Sequence, residues 1–299
     1  MSLDLEISSA IAQAIRGGAS VVALESTVIA HGLPWPKNLE LARRLEAAVR
    51  EEGAIPATIA VLSGRLRVGL GPAELEHLAR APSVRKLSRR DIPAAIAERA
   101  DGATTVSATM RIAQMAGIRA FATGGIGGVH RGDHTDVSAD LPELARTPMV
   151  VVCAGAKAIL DLPATLEWLE THGVIVAGWG TNEFPAFFSR TSGLPLETRV
   201  DGAGQVAAIA DAAWRNGIIS AVLVVVPAPS DVAMPTQRME AAISEALARA
   251  EREGIRGKAT TPFLLKQVAE ISGGESVEAN LALLEQNARI AARIAREMK

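Results

Sequence analysis

The stretch MVVVCAGAK, from Met149 to Lys157, decides the fold class: five apolar residues run straight into a small-residue turn and a lysine. An apolar run of strand length without polar alternation suits a strand covered on both faces, as in a parallel sheet flanked by helices. The same pattern recurs outward in both directions. Runs at 21–27, 55–62, 84–87, 118–122, 174–178 and 218–226 are rich in β-branched residues and alternate with segments of helical period. The expected class is α/β, with a largely parallel central sheet.

Helices between these runs have readable ends. Asn38 is the expected cap of a helix that carries Leu41, Leu45 and Val49 on one face and stops at Gly53. Pro163 suits the first turn of another that runs through Leu166 and Leu169 to Gly173. Residues 65–71 alternate polar and apolar after a Ser-Gly turn, which predicts a small antiparallel addition to the sheet. The first eighteen residues read as an amphipathic helix. After Val226 a Pro-rich segment leads to helical stretches at 236–253 and 275–298, expected to close over the sheet or to join subunits. No linker rich in Gly and Ser intervenes, so residues 1–299 are read as one domain with a helical C-terminal segment packed on it.

Composition removes several function classes. Lys plus Arg number 31 against 33 Asp plus Glu, a net charge of −2, which argues against nucleic-acid binding through a broad basic field. The single cysteine, Cys153, excludes an intramolecular disulfide framework and a multi-cysteine metal site, and points to a reducing cytoplasm. The longest apolar runs fall well short of the roughly 20 residues a bilayer crossing needs, and the N-terminus lacks the core of a signal peptide. No membrane partner is expected.

In open α/β sheets ligands gather beyond the carboxyl ends of strands, so the residues after each apolar run are the candidates. Glu25 follows the first run directly. Desolvated there, its acid form is favoured and it can donate a proton; paired with an arginine, it is a structural edge residue. Lys157 follows small residues at a strand end, where partial burial supplies the neutral amine that attacks a carbonyl; alternatively it opens a helix at the surface. Cys153 reads as an inert buried thiol.

Between these two lies TGGIGGVHRGDHTDVSAD, 123–140. Its glycines permit tight turns and close backbone approach, but the spacing is not a dinucleotide fingerprint. Asp133, Asp136 and Asp140, with His130 and His134, are candidate hard-oxygen and imidazole ligands for Mg²⁺ or Mn²⁺. Lys86 and the helix start at Thr104-Thr105-Val106-Ser107 suit an anion such as phosphate, with capping of that helix the alternative for Thr104 and Thr105. Ser88 and Asp91 are better read as capping residues, Arg89 and Arg90 as a solvated face, and His31 as part of a stiff loop near the mouth. Asn280 interrupts an apolar helix face and so needs partners from a loop or a ligand.

Together, ALESTVIAHGLPWP, PATIAVLSG, KLSRRD, GATTVSATM, FATGGIGGVHRG, DVSADL, VVCAGAK, PAFFSRTSG and TPFLL resemble, in order and over nearly the whole chain, the pseudouridine-5′-phosphate glycosidase family, also described as indigoidine synthase A-like. The resemblance implies an α/β/α homotrimer that uses Mn²⁺ and reversibly cleaves the C–C glycosidic bond of pseudouridine 5′-phosphate to uracil and ribose 5-phosphate. It assigns Lys157 as Schiff-base nucleophile on the ring-opened sugar, Glu25 as proton donor and Asp136 as metal ligand. Substrate contacts fall on Lys86, Val106 with Thr105 beside it, Ser138, Ala139, Asp140 and Asn280. An iminium at Lys157 gives the electron sink that a bond without a leaving oxygen requires. The stretch from Gly132 to Asp136 is shorter than the family pattern, which leaves the roles of Asp133 and His134 open. Two other classes fit the same residues, an aldolase-like sugar-phosphate lyase and a non-catalytic sugar-phosphate sensor.

Overall fold

Among the runs of sequence buried along their whole length are Val21–Leu24, Ala120–Ala122, Val150–Cys153 and Val222–Val225. Side chains covered on both faces of a strand belong in the middle of a parallel sheet, and these four lie there. The computed structural model describes residues 4–132, 134–255 and 260–298. In chain order its strands are β1 (Leu5–Ile7), β2 (Val21–Leu24), β3 (Ile55–Leu62), β4 (Arg65–Val68), β5 (Arg85–Leu87), β6 (Gly102–Thr104) and β7 (Ala120–Ala122). They continue with β8 (Val129–His130), β9 (Val150–Cys153), β10 (Leu160–Asp161), β11 (Ile175–Trp179), β12 (Thr198–Val200) and β13 (Val222–Val225).

The main sheet runs β1-β4-β3-β2-β7-β9-β13-β11-β12, with β6 also on β3 and β5 on β6, while β8 and β10 form a separate pair. From β3 to β12 along that path every pairing is parallel. The chain leaves β2 toward β3 on one side and later returns to β7 on the other. The order therefore reverses between β2 and β7, the place where such sheets open a crevice for ligands.

The helices are α1 (Ser9–Arg16), α2 (Thr27–His31), α3 (Lys37–Glu51), α4 (Pro72–Arg80), α5 (Ile92–Ala97) and α6 (Val106–Met115). They are followed by α7 (Asp140–Leu144), α8 (Leu162–Thr171), α9 (Ala203–Arg215), α10 (Thr236–Arg252), α11 (Thr260–Ile271) and α12 (Glu275–Glu297). Helix α12 lies against β2, β7 and β9 and between α3 and α9, with Leu283, Ala288, Ala291 and Ile294 fully buried. Burying a leucine or isoleucine side chain contributes about 1.5–3 kcal/mol, so this face ties the C-terminal helix firmly beneath the crevice. None of the helices among the described residues is long and apolar enough to cross a membrane.

The predicted helix stops at Gly53 and Gly173 hold, and the mechanism is visible. Gly53 and Gly173 sit at φ +79° and +69°, and the next residues reach back to Val49 and Leu169, closing two Schellman motifs. A third such stop explains an overlong prediction. Gly217 (φ +79°) ends α9 and Ile218 donates to the Ala213 carbonyl, so the start of the apolar run 218–226 belongs to the helix stop and the strand begins only at Val222. Asn38 is not a cap. It lies in the first turn of α3, and its amide donates at 2.9 Å to the carbonyls of both Ile29 and Ala79. The antiparallel addition at 65–71 is β4, joined to β3 by Ser63 and Gly64, both at positive φ. The N-terminal segment is only partly helical, because Leu5–Ile7 pairs in parallel with β4 before α1 begins.

Candidate active site

The crevice beyond β2, β7 and β9 is a cavity of about 410 Å³. Every residue to which the family resemblance assigned a role lines it: Glu25 and Lys157, Lys86, Thr105 and Val106, Asp136, Ser138, Ala139 and Asp140, and Asn280.

Its floor is made of backbone. Beyond the strand ends the chains after β7 and β9 stay side by side: Thr123 N donates to Val152 O (3.0 Å), Ala154 N to Gly124 O (2.9 Å), Ile126 N to Gly155 O (3.1 Å) and Lys157 N to Ile126 O (3.0 Å). The two reactive groups are attached to this ribbon. The hydroxyls of Thr123 and Thr27 each donate to one oxygen of the half-buried Glu25 carboxylate. The Lys157 Nζ donates to Gly125 O at 2.8 Å. Neither side chain has an ion-pair partner among the described residues, so the arginine-paired reading of Glu25 does not apply. Nor does Lys157 open a helix; α8 begins only at Leu162. Beneath the lysine, complete burial pushes the Cys153 thiol up to about 12, so it stays protonated and inert.

The glycine cluster serves close approach rather than turning, since none of Gly124, Gly125, Gly127 and Gly128 has a positive φ. A Cβ on Gly125 would lie 2.5 Å from the Phe187 ring, and one on Gly127 would lie 2.1 Å from Ser138 Oγ. Phe187 is itself at φ +62°, unusual for an aromatic residue, and is held there with its ring against Gly125 and edge-on to Phe188.

Asp140 is 6% exposed, and backbone amides occupy both of its oxygens: Oδ1 accepts from Ser107 N (2.9 Å) and Oδ2 from Gly127 N (2.8 Å). It locks the glycine loop to the start of α6. The expected cluster of metal-ligating side chains does not assemble. Asp140 is committed to amides, His134 pairs with Asp161 at 3.2 Å, and Asp133 lies outside the described residues. No three His, Cys, Asp or Glu side chains converge on a common point among the described residues. Among the described residues, Asp136, exposed at the mouth, is the acidic residue of that cluster left to a metal.

The mouth carries the charge. Lys86, Arg90 and His31 line it together with Ser88 and Thr105. Ser88 and Asp91 form the predicted capping box, with two bonds of 2.8 Å. Arg89 is not a solvated face: it grips the fully buried Glu143 through both oxygens, at 3.1 and 2.9 Å. Desolvation within the cavity holds the His31 pKa below its ordinary 6.5, and the Lys86 charge pushes in the same direction.

Asn280 reaches the cavity from α12, beside Leu284. The sequence reading missed Asn287, seven residues further along the same helical face; a second amide at that spacing was the available signal. It also gave no individual role to Thr27, Thr123, Phe187, Thr261 or Leu265, which hold Glu25 or wall the cavity.

The model of the indigoidine synthase A-like protein family matches residues 10–297. The chain is similar to the pseudouridine-5′-phosphate glycosidase of Solibacter usitatus, 52% identical with 99% of this chain and all of that one covered. It is likewise similar to the one from Herpetosiphon aurantiacus, 57% identical with 94% of each chain covered. Among solved structures, a prealnumycin C-glycosynthase in complex with ribulose 5-phosphate superposes with a TM-score of 0.91 at 42% identity, covering 98% of this chain and 96% of that one. An indigoidine synthase A-like protein of Thermotoga maritima superposes with a TM-score of 0.90 at 37% identity, covering 99% and 97%.

Proposed function

This chain belongs to the indigoidine synthase A-like family, and from that membership we propose that it is a pseudouridine-5′-phosphate glycosidase, reversibly converting pseudouridine 5′-phosphate and water to uracil and ribose 5-phosphate. The observation that carries the reading is the shared ribbon: Thr123 holds the Glu25 carboxylate, and two residues on, Gly125 accepts the Lys157 amine. An acid–base group and a nucleophile mounted on one rigid element meet the geometric demand of a two-step covalent reaction.

The chemistry balances with these two groups. The Lys157 amine adds at C1′ as the C1′–O4′ bond opens, and O4′ takes a proton from solvent, which the later hydrolysis of the iminium returns. The Glu25 carboxylate, which accepts from two hydroxyls, takes a proton from the nitrogen now bonded to C1′. The nitrogen lone pair then forms C1′=N as the C1′–C5 bond breaks. The released electron pair goes to C5 of uracil, which takes the proton from Glu25. Water hydrolyses the iminium, releasing ribose 5-phosphate and the free amine. Lys86, with Thr105 and Val106 at the start of α6, receives the phosphate, a role supported by the ribulose 5-phosphate bound to the solved C-glycosynthase. Ser138, Ala139 and, from α12, Asn280 contact the rest of the substrate, and Asp140 holds the glycine loop beside them.

The residues present fit Mn²⁺ as an ion that keeps most of its waters, since the cavity offers it the exposed Asp136 carboxylate in place of an all-protein cage. Bound there, the ion would supply charge neutralisation and orientation for an anionic substrate. The reading extends to a cytoplasmic homotrimer acting on a small molecule.

Release of uracil from pseudouridine 5′-phosphate, with and without Mn²⁺, tests the proposal. Borohydride reduction in the presence of ribose 5-phosphate is expected to leave an adduct that maps to Lys157. An aldolase-like enzyme would instead turn over simple aldol substrates and release no uracil, and a sensor would bind ribose 5-phosphate without an adduct.

A further inference from the structure

One polar contact beneath the cavity has no part in the reaction just described. Asn287, fully buried on α12, donates from Nδ2 to Thr123 O at 2.9 Å and, at the longer distance of 3.4 Å, to Gly124 O. Its Oδ1 is buried without a hydrogen-bond partner among the described residues. Unlike Asn280, Asn287 does not line the cavity. An orphaned buried acceptor destabilises a fold, so an apolar side chain of similar size would serve helix packing better. The amide returns only its two bonds to the ribbon.

Those bonds fall where both reactive groups are fixed. The peptide that Asn287 holds belongs to Thr123, whose hydroxyl donates to Glu25, and leads directly to Gly125, whose carbonyl accepts Lys157. We propose that Asn287 is a positioning residue for the reaction. By fixing the Thr123–Gly124 peptide from α12, it sets the direction of the Thr123 hydroxyl and the Gly125 carbonyl, and through them the spacing of Glu25 and Lys157. The inference rests on the glycosidase reading of that pair.

The test compares Asn287→Leu and Asn287→Ala with the unmodified chain, folding being checked by thermal midpoint and each protein assayed for uracil release across pH. In both variants kcat is expected to fall by about 10–100-fold with KM changed less than about threefold, the signature of a contact that acts on the transition state. The kcat–pH profile should shift along the pH axis, while the Leu variant melts no lower than the unmodified chain. Since the effect passes through Thr123, it should shrink in a Thr123→Val background. A kcat within threefold of the unmodified chain, an unmoved pH profile, or strict additivity with Thr123→Val would overturn the role. Absence of uracil release from the unmodified chain is a different failure, that of the glycosidase reading.

Discussion

The floor and the mouth of the cavity are built on opposite plans. On the floor, the paired backbones beyond two parallel strands carry Thr123, whose hydroxyl holds Glu25 together with that of Thr27, and Gly125, whose carbonyl holds Lys157, with a fully buried thiol below and an α12 amide behind. At the mouth, Lys86, Arg90, His31 and Asp136 project from separate loops and helix ends, half-buried or exposed. The difference teaches a division of labour. Bond breaking needs fixed geometry, which a sheet supplies, whereas capture of a charged ligand needs long-range attraction, which exposed side chains supply.

Substitutions should therefore grade from floor to mouth. Lys157→Ala removes the nucleophile and is expected to lower uracil release by at least about 10⁴-fold, with the borohydride adduct lost and the thermal midpoint unchanged. A variant still turning over at a tenth of the original rate would detach the chemistry from the floor. Asp140→Asn leaves one amide facing a donor instead of an acceptor; at about 1–3 kcal/mol for an unsatisfied buried group, denaturant unfolding should show the loss directly. Stability equal to the parent would mean that the loop is held some other way.

At the mouth the effects are smaller. Asp136→Asn should raise the Mn²⁺ concentration needed for half-maximal uracil release by about 10-fold or more, with little change in melting. A shift in melting without one in metal response would move Asp136 to the structural side. His31 should give the smallest change. Its pKa is held below 6.5 in the folded chain, so the unfolded chain binds more protons on acidification; its contribution is present above pH 6.5 and fades as pH falls through the lowered value. His31→Gln should flatten the dependence of the melting midpoint on pH below 6.5. Phosphate binding beside it should raise the pKa, seen as movement of its imidazole titration by NMR.

The floor was the legible region. A carboxylate, a glycine loop and a lysine, each directly after an apolar run, are a one-dimensional trace of strand ends meeting at a crevice, and residues 21–25, 120–125 and 150–157 kept that order in space. Contacts between distant segments left no such trace. Arg89 reads as exposed until Glu143 folds beneath it, and of the candidate metal ligands that cluster in sequence at 130–140, His134 and Asp140 are claimed in the fold by Asp161 and by two backbone amides. Short edge strands such as β1 and β12 escaped because three residues carry too little periodicity. Asn287 escaped because its value lies in two carbonyls more than 160 positions away in the chain.

Cys153 has a practical consequence. As the chain's one sulfhydryl, sealed beneath the sheet end and fully protonated at neutral pH, it gives no background to maleimide chemistry. A cysteine introduced at any exposed position would be the sole site for a fluorophore or spin label, with no need to remove the native residue first. Slow labelling of the unmodified chain would in turn count how often the layer under Lys157 opens, a clock for breathing at the very spot where the chemistry demands stillness.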